Sequence, residues 1–342
     1  MPRTAPHEGC PTVTVGRQDT HPCVAAAECG VFAQPSDARG LLQLAAHLLL
    51  LCGTGVCVWS LAEATSWLGW LAASAAHGCV LAHLYMPLHE STHYTAFRSH
   101  WLCDAVAWAC GAATTFNATF FRHFHKQHHI ATQEVGADPE LPGASASLAN
   151  YAHKLLGGEM LVALRGLVLT GWGGCDSVLP IPWVPAAEAR ALVFSVRAQL
   201  ALYAGVALGA CANAAWRRAV LQLWLLPLAL GQPPLWAHFI SQHTGTALGT
   251  ADARRNSRVV LASAPYHFLT WNMGYHAVHH MNPRIPFHQL PRAFRELHAQ
   301  KPFAHVARSG AHVHAALLAG LGEGAGAVGG AGGAKRRLQK GG

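Results

Sequence analysis

Four apolar stretches dominate the 342-residue chain and limit what it can fold into: Leu41 to Leu61, Trp67 to Leu88, Ala198 to Trp216 and Ala219 to Ile240. Each approaches the roughly 20 residues with which a helix crosses a hydrocarbon core about 30 Å thick. Lipid offers backbone groups no hydrogen-bond partner, so such stretches are expected as helices. The connections Ala62 to Ser66 and Arg217 to Arg218 are short, which pairs the stretches into two helical hairpins. Four crossings return the chain to the side on which it starts. The expected fold is all-α and integral to a membrane, with four transmembrane helices in two hairpins and a helical cap. Trp101 to Phe116 and Leu155 to Trp172 are interrupted by charges and glycines and read as interfacial or cap helices. Pro227, Pro233 and Pro234 fall in the fourth stretch, where a missing amide hydrogen kinks a helix or ends it early.

Composition agrees with lipid surroundings. Charged residues make up 12% of the chain and hydrophobic residues 51%, whereas soluble domains carry roughly 25% charged. The net charge of +8 comes from basic residues that are not interleaved with aromatics, which argues against a nucleic-acid partner. Of 24 lysines and arginines, only Arg217 and Arg218 fall in a loop assigned to the far side. That bias places both termini on the cytosolic (or stromal) face. The ten cysteines form no CxxC pair, so neither a zinc knuckle nor a disulfide framework is indicated. The first 40 residues lack the basic-then-apolar order of a secretory signal, and insertion is expected to rely on an internal anchor. Residues 1–40 read as a disordered segment, 41–310 as the membrane domain, and 311–342 as a disordered Gly/Ala-rich tail.

Histidine is the second anomaly. There are 24, as many as lysine and arginine together. His89 and His93 form an HxxxH pair at the end of the second stretch, a spacing that puts both imidazoles on one helix face. Taken alone, the pair could simply mark a helix end. His125, His128 and His129 form HxxHH, and three nitrogens at i, i+3 and i+4 converge from about one turn. His123 points about 200° away from His125 and is left out. His276, His279 and His280 repeat HxxHH some 150 residues later, and this recurrence is the most specific signal in the chain. Eight imidazoles exceed the four ligands of a typical zinc site and suit two first-row transition ions, although spacing alone does not choose the metal. His238 and His243 lie about 140° apart on a helix, so one of them is expected to join the site. His100, His153, His267, His288, His298, His305, His312 and His314 have no such spacing and read as incidental.

The order HxxxH, HxxHH, HxxHH resembles the membrane fatty-acid desaturase and hydroxylase superfamily, acyl-lipid desaturase type. The likeness runs from His89 to about His298 and includes HESTHYTAFRSHWLCDAVAW, FFRHFHKQHHIATQEVGADPEL and WNMGYHAVHHMNPRIPFHQLP. Gln242 to Gly245, QHTG, is similar to a family motif that supplies one more histidine, which implies His243 as the ninth ligand. The resemblance implies two non-heme iron ions, dioxygen as co-substrate, a lipid substrate from the bilayer, and a separate electron donor, a ferredoxin or a reduced cytochrome. It also implies Asn272 beside an iron-bound water. Val278, Gly274 and Gln242 depart from the residues common at those positions, but none removes a ligand. The activity implied is fatty-acyl desaturation, with hydroxylation or ketolation of an acyl, carotenoid or sterol substrate as alternatives. A non-catalytic metal-handling membrane protein is the rival of another class; it would use histidines inside the spans, such as His47, His77 and His83.

Overall fold

A computed structural model describes residues 30–62, 66–141 and 147–329 of the chain, with side chains described up to 320. Residues 1–29 of the expected N-terminal segment and 330–342 of the expected tail lie outside the described residues. What is described is mostly helix. Helix α1 covers Asp37–Leu61 and starts where the Ser36 hydroxyl accepts the Arg39 amide, a side-chain cap that ends the preceding extended turn. The Asp37 carboxylate in its first turn accepts both the backbone N–H (2.8 Å) and the hydroxyl (2.7 Å) of Ser99. Ser99 is the residue before helix α4, so one carboxylate ties the starts of two helices together.

Helices α2 (Trp67–Ala82) and α3 (Tyr85–Thr92) follow each other across a short break at His83 and Leu84. At the break the Leu84 amide turns to the Leu81 carbonyl. The Val80 carbonyl is taken instead by His47 Nε2 of α1 at 2.9 Å. The indole N–H of Trp271 donates to the other His47 nitrogen at 3.3 Å, so a neutral imidazole is satisfied on both sides. His77 similarly reaches the Leu223 carbonyl (3.0 Å) and the Thr54 hydroxyl (2.8 Å). These histidines inside the apolar helices are spent on holding helices together, which removes them from the metal-handling reading.

The middle of the chain supplies α4 (His100–Thr114), α5 (Ala118–Ile130), α6 (Leu148–Leu155) and α7 (Gly158–Gly173). Then come α8 (Ala189–Ala212), α9 (Ala214–Val220), a π-helical turn at Leu221–Leu225, α10 (Leu226–Leu230) and α11 (Gln232–His243). Short elements carry the remainder: α12 (Ala253–Asn256), α13 (Ala264–Leu269), α14 (His276–Met281), α15 (Leu290–Gln300) and α16 (Gly310–Gly329). The two-residue strand β1 (Val259–Val260) pairs in parallel with β2 (Val306–Ala307).

Among the described residues, three helices are long and apolar enough to cross a membrane, Asp37–Leu61, Trp67–Thr92 and Ala186–Ala212, or four if the bent pair Leu148–Leu155 and Gly158–Ser177 counts as one span. Leu42, Leu49 and Val56 lie exposed along α1, as expected of a surface that meets hydrocarbon. The fourth expected stretch, Ala219 to Ile240, is divided among α9, the π turn, α10 and α11. Pro227, Pro233 and Pro234 remove three backbone donors within eight residues, and the run breaks at Gly231. The stretch expected as an interfacial helix, Leu155 to Trp172, is instead part of a pair bent by 68°. Gly157, in the left-handed region at φ 78°, makes that bend. At the chain's end, α16 covers the first part of the segment expected as a disordered tail.

α2 and the α10 region touch through their backbones. A Cβ at Gly78 would overlap the Pro227 carbonyl, and one at Gly231 would overlap the Gly78 carbonyl. Gly53 on α1 has open space around it. Gly78→Val should therefore destabilise the fold by about 1–3 kcal/mol or more, lowering the thermal unfolding midpoint in detergent. Gly53→Val, the same change in another apolar helix, should leave the midpoint near that of the parent chain.

Candidate metal centre

Four helices end at one place. α3 delivers His89, and His93 follows as its capping residue. α5 is started by the Asn117 side chain, which accepts the Phe120 amide at 3.0 Å, and it carries His125, His128 and His129 in its last two turns. α11 ends on His243. α14 begins on His276 and carries His279 and His280. All nine expected ligands come together here, in two groups: His89, His93, His125, His129 and His279 form one, and His128, His243, His276 and His280 the other. Within each group the ligand nitrogens lie within 4.8 Å of one another. α5 and α14 each serve both groups, because the fourth residue of each HxxHH joins one group while the first and fifth join the other.

The nitrogens face each other at distances that ordinary hydrogen bonding does not satisfy. His129 Nε2 lies 3.0 Å from His125 Nε2 and 3.2 Å from His279 Nε2. His243 Nε2 lies 3.2 Å from His128 Nε2 and 2.8 Å from His276 Nε2. An imidazole nitrogen offers one hydrogen or one lone pair, so it cannot answer two opposed neighbours at once. His89 Nδ1, His93 Nε2, His276 Nδ1, His279 Nδ1 and His280 Nε2 are buried and have no hydrogen-bond partner. The opposed Nε2 atoms fit cations placed between them, and a donor set of five and four imidazoles fits two first-row transition ions.

Protonation agrees. Burial, helped by the charges of neighbouring rings, pushes His125, His129, His276, His279 and His280 well below the ordinary imidazole range. The same causes bring His93 and His243 down to about 3. These rings are neutral at physiological pH, the form in which imidazole binds a metal. His128 moves the other way: burial opposes its charge, but Glu140 and the Asp138 hydrogen bond outweigh burial.

Outer partners orient the rings. His128 Nδ1 donates to Asp138 at 2.8 Å, and Asp138 also accepts the amides of Gln133 (2.8 Å) and Glu140 (2.9 Å). His125 Nδ1 lies 3.1 Å from Glu140, His280 Nδ1 3.1 Å from the Thr132 hydroxyl, and His243 Nδ1 3.0 Å from the Asn256 carbonyl. Each contact occupies Nδ1 and leaves Nε2 for a metal. Reading from sequence missed Asp138, Glu140, Thr132 and Asn256. For the first two the signal was present, carboxylates ten and fifteen residues past the histidines they serve, in a chain poor in acid.

Asn272 sits at φ 60° just before box three and donates its amide to the Phe287 carbonyl at 3.1 Å. The Phe287 amide donates to Glu90 of box one at 2.9 Å. The backbone of one residue, Phe287, is thus held from both boxes. His238 spends one nitrogen on the Tyr266 hydroxyl (2.7 Å) and the other on the Gln242 amide (2.9 Å), so it joins neither group. His123 pairs with Glu188 at 3.2 Å and also stays outside. A cavity of about 1490 Å³ opens onto His89, His125, His128, His243 and His276, and its walls include Tyr85, Phe116, Phe121, Phe239 and Met273.

Residues 65–310 match the family model described as fatty acid desaturase. Among curated relatives, the sphingolipid delta(4)-desaturase/C4-monooxygenase DES2 of Homo sapiens is 28% identical over 229 residues, covering 64% of this chain and 62% of that protein. Its Bos taurus counterpart is 28% identical over 243 residues, covering 68% and 67%. The sphingolipid delta(4)-desaturase DES1-like protein of Oryza sativa subsp. japonica is 24% identical over 294 residues, covering 79% and 78%. The chain therefore spans about 62% of the length of the human relative. With the match running from the second apolar helix to the start of α16, and all nine clustered histidines within it, the chain belongs to the fatty acid desaturase family.

Proposed function

We propose that this chain is an oxygen-dependent di-iron lipid oxidase, a desaturase or hydroxylase acting on a long-chain lipid. One observation carries the reading: two groups of convergent, buried or half-buried imidazoles stand side by side at a large, aromatic-walled cavity. An unactivated methylene C–H bond is beyond general acid and base catalysis. Iron bound in the two groups would supply the activation of dioxygen that such a bond requires. The nine ligands proposed are His89, His93, His125, His128, His129, His243, His276, His279 and His280.

The protein's own part is to hold and to exclude. Asp138 keeps His128 in one tautomer, and Glu140 does the same for His125. Tyr85, Phe116, Phe121 and Phe239 pack edge to face around the approach and keep water from it. Asn272 and Glu90 fix the spacing of boxes one and three through the backbone of Phe287. Desaturation converts CH2–CH2, dioxygen, two electrons and two protons into CH=CH and two waters; hydroxylation gives an alcohol and one water. The electrons come from a separate donor, a ferredoxin or reduced cytochrome. In this reading the boxes and both termini lie on the cytosolic (or stromal) face, which requires an even number of crossings. The relatives' names make a sphingolipid the first substrate to try and fatty-acyl lipids the second.

Expression in a host whose lipids are profiled with and without oxygen tests this reading. A new unsaturated or hydroxylated lipid should form only in air. Alanine at His125, His128, His276 or His279 should abolish it without changing the amount of protein in the membrane; a variant that keeps full activity removes that histidine from the ligand set. Asp138→Asn should weaken metal retention by roughly 10–100-fold, read as faster metal loss to a chelator, while the protein still inserts.

A further inference from the structure

Helix α16 begins where the family match ends, at Gly310, and the segment it occupies reads in sequence as a featureless tail. Yet Ala316, Leu317, Leu318 and Gly320 line the same cavity onto which the histidines open. His314 fixes this helix in place. Its Nε2 lies 2.9 Å from the Ala237 carbonyl of α11, which can only accept, so Nε2 carries the hydrogen. Its Nδ1, 2.8 Å from the Tyr151 oxygen of α6, is then the acceptor, and the phenol hydrogen is committed to it.

That assignment decides what Tyr151 can offer a ligand. Tyr151 lines the cavity. With its hydrogen given to His314, its oxygen is left with lone pairs and suits a partner that donates. An amide N–H or a hydroxyl donates; an ester does not. The volume, about 1490 Å³, exceeds the roughly 300–1,000 Å³ of ordinary small-molecule sites, and Ala316 and Gly320, beside Leu317 and Leu318, add little bulk to this wall.

We infer that α16 is a specificity-determining wall of the lipid cavity, and that the His314–Tyr151 pair selects a two-chain lipid whose polar end carries an amide N–H or hydroxyl over its ester-linked counterpart. The inference rests on the cavity being the lipid site of the proposed oxidase. Tyr151 and His314 act here as positioning and recognition groups, remote in sequence from every metal ligand.

The test measures binding without turnover, on the full chain purified in detergent, with a fluorescent ceramide and a diacylglycerol bearing the same fluorophore and chains, its free hydroxyl acetylated so that it carries no donor. The parent protein should bind the ceramide more tightly. Tyr151→Phe should weaken ceramide binding about 5-fold and leave diacylglycerol binding unchanged. Ala316→Trp should weaken both probes with iron content retained; Ala316→Leu should do the same to a smaller degree. Equal affinity of the parent for the two probes, or an unchanged affinity ratio in Tyr151→Phe, overturns the inference, as does unchanged binding in both Ala316 variants. Because binding is read alone, an iron-loaded oxidase without amide preference sinks only this inference. Ceramide binding by a protein that makes no oxidised product sinks only the oxidase reading.

Discussion

Nine imidazoles buried against one another are the constraint on which the rest of this structure depends. A buried polar atom left without a partner costs about 1–3 kcal/mol, and five ring nitrogens of these histidines are in that condition. Protonating the rings would add like charges packed a few ångströms apart in a buried site, which is worse. Cations are the partners that would answer the nitrogens converging within each group, and a metal bound there would stabilise the fold that assembles the rings. The helices that supply the rings must end within one small volume, and the chain arranges this with breaks rather than with long regular helices.

Those breaks have assigned uses. The interruption between α2 and α3 frees the Val80 carbonyl for His47, whose other nitrogen takes the Trp271 indole just ahead of box three. Phe287 is gripped at its N–H by Glu90 from box one and at its C=O by Asn272 from just ahead of box three. Asp138 joins the turn after box two to His128 and to two backbone amides. Hydrogen bonds of this kind are satisfied pairwise and hold the ring planes still. The apolar helices supply the frame, and their outward leucines and valines meet hydrocarbon.

The histidine boxes were legible because helical periodicity converts i, i+3 and i+4 spacing into one patch of space. The same rule separated His123 from its neighbours, and resemblance to known sequences chose His243 over His238. Spacing could not show that HxxHH divides between two groups, since that depends on how α5 and α14 cross. Asp138, Glu140, Thr132 and Asn256 were not read because orienting contacts follow from loop paths, which carry no periodic signal. The proline-rich fourth stretch was recognised as kinked, but the sequence did not show that it divides into three helices and a π turn, nor that its Pro227 region packs backbone to backbone on Gly78. Composition gave α16 no clue at all; alanine and glycine look featureless in sequence and are what a cavity wall needs.

Iron counted per chain, in protein purified without oxygen, tests the central claim most directly. Two irons per chain, retained through gel filtration and lost together in a chain without its histidine boxes, is the result this account predicts. A single ion, or zinc in both groups with no iron bound under iron-replete expression, would contradict it and leave the histidine groups as a metal-handling device rather than the centre of an oxidase.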